Sequence, residues 1–326
     1  MLQMDRRAFV LSSAAAAAGF GLSGSLEIVP SALAQAAAAN PLNPKGSTAH
    51  KFKIGSVEVT TVFEGGGIRD LPIDFVKNAA VADVNASLKA SGLDEGKLPN
   101  AYTLTVVKIG QRTIMFDSGF GTIGPAGTGQ FAANLTAAGI DPASITTIAV
   151  THFHPDHIFG LFTKDNAQVF PNVEIVVPET EYRFWSDPAV IAQLPEPRRG
   201  IAQRVQATMP QWKNLRQVAA DKDVVPGIRA LATNGHSPGH TSYFVDGGSA
   251  QMLVLGDLTT IPAINMRNPG WHVVFDQDAN MAEASRRKMF DRAVADKVVC
   301  TGYHWGMPGA GTVVKDGNGY ALLPVA

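Results

Sequence analysis

Between Thr151 and His157 the chain reads Thr-His-Phe-His-Pro-Asp-His, which places three imidazoles and a carboxylate directly after Ile145 to Val150, an apolar run of strand character. Alternate side chains of an extended backbone share a face. His152 and His154 therefore point the same way, while Asp156 and His157 fall on the turn that follows and can face a neighbouring point. Two metal ions could share such a loop. Imidazole and carboxylate donors suit Zn²⁺, and Mn²⁺, Fe²⁺ or Co²⁺ accept similar ligands. The single cysteine, Cys300, allows neither an internal disulfide framework nor a cysteine-based zinc finger. Any metal is held by histidines and carboxylates.

A chain of 326 residues with 45% hydrophobic and 17% charged side chains has enough apolar material for a substantial core, and too little charge for a disordered or coiled-coil protein. A formal net charge of -1 offers no basic surface to release counterions from a phosphate backbone, so no nucleic-acid partner is expected. At the start, Arg6-Arg7 precedes an Ala-rich run, Ala8 to Leu22, and the small-x-small pattern Ala32-Leu33-Ala34. This resembles an export signal of the twin-arginine type over residues 1–34, with cleavage after Ala34 and a periplasmic or secreted mature protein. The apolar run covers only 15 residues. A membrane span takes roughly 20, so no stable anchor is expected. Residues 35–50 read as a flexible leader and 51–326 as one domain.

Within that domain the apolar pattern changes period along the chain. Phe52 to Ile54, Val57 to Phe63, Tyr102 to Ile109 and Thr113 to Phe116 read as hairpin strands, with turns at Gly55-Ser56 and Gly110-Gln111. Phe131, Leu135 and Ala138 share a helical face that Gly139 can close. Strands are then expected at Ile145 to Val150, Val173 to Val177, Ile228 to Thr233, Ser242 to Val245 and Met252 to Leu255. Helices are expected at Pro178 to Trp185, Ile201 to Trp212 and Ala279 to Ala295. Hairpins first and mixed elements later suggest an α/β chain, two sheets face to face with helices outside. No fixed-period repeat is visible.

The metal loop resembles the His-x-His-x-Asp-His signature of the metallo-β-lactamase superfamily. Gly235-His236-Ser237-Pro238-Gly239-His240, Leu255-Gly256-Asp257 and Tyr303-His304-Trp305 follow in that family's order, and Asp117-Ser118-Gly119 matches its Asp-Thr-Gly turn with Ser for Thr. The resemblance implies an αββα sandwich, one metal on His152, His154 and His236, a second on Asp156, His157 and His304, and Asp257 bridging both. Asp117 and His240 would orient ligands from behind. Taken singly, His304 beside aromatics or Asp257 after a strand could be ordinary packing and turn residues. Their order among the histidine motifs outweighs that reading.

Two divalent ions held close share a water, lower its pKa towards neutrality and polarise a substrate oxygen, which points to hydrolysis with two Zn²⁺ per chain. Asp257 would hold the metals and Asp156 relay a proton to the leaving group. No cysteine nucleophile, Gly-x-Ser-x-Gly elbow or Gly-rich phosphate loop supports another mechanism. Phe131 to Gly139, Val225 to Ala232 and Gly256-Asp257-Leu258 are similar to the methyl parathion hydrolase type, which implies organophosphate triesters as substrates. In that type an aromatic wall receives the leaving group. Trp185 and Phe159 are placed there, while Ile123 and Ile201 fill two wall positions with aliphatic groups, losing stacking of about 0.5–1.5 kcal/mol per aromatic pair. N-acyl homoserine lactones rank second, because the tyrosine that many such lactonases carry three residues after the bridging aspartate is Thr260 here. A metal-binding module without turnover is the non-enzyme alternative. A small-molecule ester is the expected partner, and the segment from Phe63 to Phe75 is a candidate lid or homodimer contact. His50 reads as a surface residue, His272 next to Trp271 could touch a substrate but has no motif behind it, and Cys300 reads as a buried thiol.

Overall fold

The structure is a computed structural model that describes residues 42–43 and 46–325. The expected export signal and most of the leader lie outside the described residues. Among these, the first sheet holds β1 (Ala49–Ile54), β2 (Val57–Asp70), β3 (Lys97–Ile109), β4 (Arg112–Phe116), β5 (Ile145–Ala149), β6 (Glu174–Pro178) and β7 (Leu215–Val218), in that spatial order. The second holds β8 (Asp223–Val225), β9 (Ile228–Ala232), β10 (Thr241–Asp246), β11 (Gln251–Val254), β12 (Val299–Thr301), β13 (Ala310–Asp316) and β14 (Gly319–Pro324), again in sequence order. Helices α1 (Val81–Ala90), α2 (Phe131–Ala137), α3 (Pro155–Ile158), α4 (Glu179–Ser186), α5 (Val190–Gln193), α6 (Glu196–Thr208) and α7 (Ala279–Asp296) complete the fold.

The period-2 pattern explains the layering. One face of each sheet meets the other through Val57, Val59, Val107, Ile114 and Phe116 against Ile228, Ala230, Tyr243, Val245 and Met252. The opposite face of the first sheet, with Leu104, Met115, Ile148 and Ile175, packs on Phe131 and Leu135 of α2 and on Ala202 and Val205 of α6. The opposite face of the second, with Leu253, Cys300 and Val313, packs on Met289, Phe290 and Ala293 of α7. Helix, sheet, sheet and helix thus bury three apolar interfaces, the expected αββα arrangement. Cys300 is buried and its thiol pKa is raised by that burial. No helix among the described residues is long and apolar enough to cross a membrane.

Several boundaries differ from expectation: β3 starts at Lys97 and not at Tyr102, α6 runs Glu196–Thr208 and not from Ile201 to Trp212, and two further differences bear on the site. The leader was expected to reach residue 50, yet β1 starts at Ala49, and Leu42 is buried with its carbonyl accepting from Met307 N at 2.9 Å. A buried side chain and a paired carbonyl tie that stretch to the domain. β2 was expected to end at Phe63. A bulge between Phe63 and Gly65 instead carries the β2–β3 ribbon on to the Asp70–Lys97 pair, and bulges of this kind are hard to read from alternation. The segment from Phe63 to Phe75 is therefore the outer half of β2 plus a turn, with Phe75 buried and Ile68 and Ile73 exposed. It leads to α1, whose Val84 and Leu88 join Phe75, Leu98, Ile261 and Ile264 in a separate small core.

Candidate metal centre

Strand polarity assembles the site. β4 and β5 run parallel, with Phe116 opposite Ala149, so Asp117 and the His152–His157 loop emerge at the same edge. β11 and β12 are parallel, with Val254 opposite Thr301, so Asp257 and His304 also emerge together. The Gly235–His240 turn joins β9 to β10, and Thr241 N donates to Thr151 O at 3.0 Å, closing this edge between the sheets. Ligand sites of sheet proteins commonly form beyond strand carboxyl ends for this reason.

Seven side chains converge there as two adjoining clusters: His152, His154, His236 and Asp257, then Asp156, His157, Asp257 and His304, with the candidate ligand atoms of each cluster within 4.8 Å of one another. In the first, His154 Nδ1 lies 2.8 Å from His152 Nε2 and 3.0 Å from His236 Nε2. In the second, Asp257 Oδ1 lies 3.3 Å from His157 Nε2, and His304 Nε2 lies 3.1 Å from Asp257 Oδ2 and 3.3 Å from Asp156 Oδ2. Asp257 belongs to both, its Oδ2 lying 3.2 Å from His236 Nε2 of the first cluster and 3.1 Å from His304 Nε2 of the second, while its Oδ1 faces His157.

The donor set fits a pair of divalent cations. His157 Nε2 and Asp257 Oδ1 are buried without a hydrogen-bond partner, and each such group costs about 1–3 kcal/mol unless something satisfies it. A cation would accept the lone pairs of both. Burial works against charge on His304, but Asp257 and Asp156 outweigh it and raise its pKa to about 10; they raise His157 likewise. In the second cluster the carboxylates thus favour positive charge, while in the first burial pushes the pKa values of His152 and His154 down and keeps those rings neutral, as metal ligands must be.

Outer contacts fix each ring. Asp117 adopts a left-handed backbone, φ 64°, which Asp tolerates better than most residues. Its Oδ1 accepts from Thr151 N at 2.7 Å and its Oδ2 from His157 Nδ1 at 2.8 Å. This puts the His157 proton on Nδ1 and presents Nε2 as a lone pair. His304 Nδ1 donates to Ala101 O at 2.8 Å with the same result. His240 Nε2 accepts from Asp257 N at 3.0 Å, so its proton sits on Nδ1, 2.9 Å from Thr233 Oγ1. Burial pushes the His240 pKa down to about 3, and the ring stays neutral. Gly256, at φ +55°, approaches that ring so closely that a Cβ would lie 2.9 Å from His240 Nε2.

Other supports lie outside the motifs. The Glu181 carboxylate, fully buried, accepts from Phe153 N at 3.0 Å, Trp185 Nε1 at 2.7 Å, Ser237 Oγ at 2.8 Å and Gly239 N at 2.7 Å. It clasps the two histidine loops together across the sheets. Asp276 accepts from His236 Nδ1 at 3.1 Å and pairs with buried Arg286 at 2.9 Å. Arg286 also donates to the carbonyls of Leu258, next to the shared aspartate, and Pro269, each at 2.9 Å. Asp276→Asn is expected to weaken binding of one metal by about 10- to 100-fold, measured by competition with a chelator, with an unchanged folded circular-dichroism spectrum. Unchanged affinity would make Asp276 a purely structural residue. In sequence these residues sit in helical or loop stretches with no spacing that marks them.

The proposed pocket residues divide. Trp185 requires correction: it is 0% exposed, its indole N–H is held by Glu181, and its ring stands 6.5 Å from His154. It props the ligand from within the core and offers no open wall. Phe159, Ile123 and Ile201 are partly exposed. Phe159 lies under the Arg204 guanidinium, 5.0 Å from ring centre, and the turn bearing Ile123 packs on the turn bearing Phe159, Gly121 against Gly160. Thr260 is buried, and its hydroxyl donates to Asn265 Oδ1 at 3.3 Å. His272 is half-buried against Glu283 at 3.0 Å, and His50, expected at the surface, packs near Phe52.

Residues 99–302 match the family model of the metallo-beta-lactamase superfamily. The chain belongs to that superfamily, and its two clusters are those of a dinuclear metal site. An N-acyl homoserine lactonase of Bacillus thuringiensis is 26% identical over 154 residues, 47% of this chain and 54% of that protein. The chain thus matches about half the length of such curated relatives. Over longer spans it is similar to the structure of AidC, a dizinc quorum-quenching lactonase in complex with a product, with TM-score 0.81, 26% identity, and coverage of 88% of this chain and 99% of that one. The hydrolase AbOPH of the beta lactamase superfamily gives TM-score 0.79 and 26% identity over 86% of this chain and 98% of that one.

Proposed function

We propose that this protein is a dinuclear metal-dependent hydrolase of carboxylic esters, with N-acyl homoserine lactones as its substrate class. The observation that carries the hydrolase reading is Asp257, shared between two complete ligand clusters with one unpartnered oxygen. Similarity to a dizinc lactonase over 88% of this chain supports the lactone class. That support reverses the order given by sequence motifs, which ranked organophosphate triesters first.

Two divalent ions bound there would lower the pKa of a water molecule and polarise the substrate's oxygen, with Zn²⁺ as the favoured pair. The chain supplies the rest. Asp257, nearly buried, fixes the separation of the two clusters. Asp156 is the more exposed carboxylate, 15% against 4%. It is placed to take a proton and return it to the departing alkoxide. Asp117 and Asp276 hold the rings of His157 and His236, and His240 anchors the main chain at Asp257. Phe159 and Ile123 are assigned to the wall that receives the substrate's apolar part.

The test compares kcat/KM of the zinc-loaded protein on N-hexanoyl homoserine lactone and on a dialkyl aryl phosphotriester. The lactone is expected to lead by more than about tenfold. Chelation should abolish both activities, and added metal should restore them. A phosphotriester preference would reinstate the first ordering, and no hydrolysis of either by metal-loaded protein would leave only a metal-binding module.

A further inference from the structure

We propose that the protein binds one water molecule between its two sheets, behind the metal centre, on the hydroxyls of Thr103 and Thr301 and the carboxylate of Asp117. The inference stands apart from the choice of ester substrate.

The interface between the sheets is apolar along most of its length, but at the metal end its inward positions are hydroxyls. Thr103 and Thr105 of β3 continue the face of Val107, and Thr301 of β12 continues that of Val299, opposite Val254 of β11. Thr103 is 2% exposed and Thr301 1%. Neither Oγ1 has a hydrogen-bond partner among the described residues. Both threonines line one small cavity, together with Thr105, Phe116, Asp117 and Tyr303, and all six residues are buried. The cavity offers about 10 Å³ to the centre of a water molecule, which matches a single water.

Donors and acceptors balance for that one guest. The Asp117 carboxylate has about four lone-pair sites. Thr151 N, the Thr151 hydroxyl and His157 Nδ1 occupy three of them. One remains. A water in the cavity gives a proton to Asp117 and accepts one from each threonine, making the three or so hydrogen bonds typical of a buried water. Its position also gives it a use. Asp117 holds the His157 ring, and Tyr303, whose carbonyl accepts from Thr103 N at 2.8 Å, lies with its ring 4.0 Å from that imidazole. The water ties β3 to β12 across the end of the interface and keeps the Asp117 carboxylate turned to His157.

The experiment uses the full metal-loaded chain and Thr→Val changes, which keep the branched shape and remove the hydroxyl. Thr103→Val and Thr301→Val each leave the water and the other hydroxyl short of a partner, and each is expected to lower Tm by about 2 °C. The double variant leaves no hydroxyl to satisfy, so its Tm should fall no further than that of the less stable single variant. A high-resolution crystal structure of the parent should show one oxygen about 2.5–3.0 Å from both Oγ1 atoms, and none in the double variant. Metal affinity of the double variant, by competition with a chelator, should fall by about three- to tenfold, less than the roughly 10- to 100-fold for loss of a direct partner. In a dry cavity each valine would instead relieve an unsatisfied group and raise Tm. A raised Tm, additive losses in the double variant, or a parent cavity without density overturns the inference. Density in the parent with unchanged metal affinity in the double variant overturns the role behind Asp117.

Discussion

His236→Ala is expected to strip one metal equivalent from the protein and to reduce turnover by more than about 10²-fold, since loss of an outer-shell partner alone costs about 10–100-fold. The geometry explains why one ring matters so much. His236 Nε2 lies 3.0 Å from His154 Nδ1 and 3.2 Å from Asp257 Oδ2, so its removal opens the first cluster and frees one side of the shared aspartate. The fold should survive. Asp276 loses the imidazole but keeps Arg286 at 2.9 Å, and no buried charge is left unpaired. Metal analysis after dialysis and a thermal scan would check both halves. Two retained equivalents, with kcat/KM within tenfold of the parent, would contradict the ligand assignment.

Glu181→Ala is expected to produce the largest loss of stability of any single change away from the ligands. Its carboxylate receives four donors in a fully buried setting, two main-chain N–H groups, one hydroxyl and one indole. Each donor left unsatisfied costs about 1–3 kcal/mol. Water entering the space left behind would offset part, so a net loss of about 4 kcal/mol is expected, a large share of the 5–15 kcal/mol of a typical domain. Burial pushes the Glu181 pKa upwards and the four donors pull it back. Glu181→Gln should fall in between, because its amide turns two donors towards Ser237 and Gly239. Denaturant titration gives the measurement. A loss below about 1 kcal/mol for the alanine variant would mean that the histidine loops hold together without the clasp.

The ligand set was legible because it is local or motif-bound. Four of its members fall between His152 and His157, and the others sit in short stretches whose glycines have a steric reason: at Gly235, φ +127°, a Cβ would lie 2.1 Å from Ala282 N. Strands and helices with clear periodicity were legible on the same grounds, including α7, whose Asp278 side chain caps Met281 N. The β2 extension was not, because a bulge at Phe63/Gly65 interrupts the alternation on which the reading depends. Trp185 was placed in the pocket by resemblance, and tertiary packing put it in the core instead.

Residue order alone pointed to the superfamily, to the layered α/β class and to the seven residues that the fold gathers into two clusters, since each depends on spacing within a few residues or on motifs in a set order. Only the folded chain decided that Glu181 binds Phe153 to Gly239, that Arg286 reaches Leu258 and Asp276 together, and that the main chain at Ala101 holds the His304 ring. Those contacts join segments from 10 to about 200 positions apart. Their free energy comes from satisfying buried polar atoms, and which atoms become buried together is set by sheet topology, which no local pattern encodes.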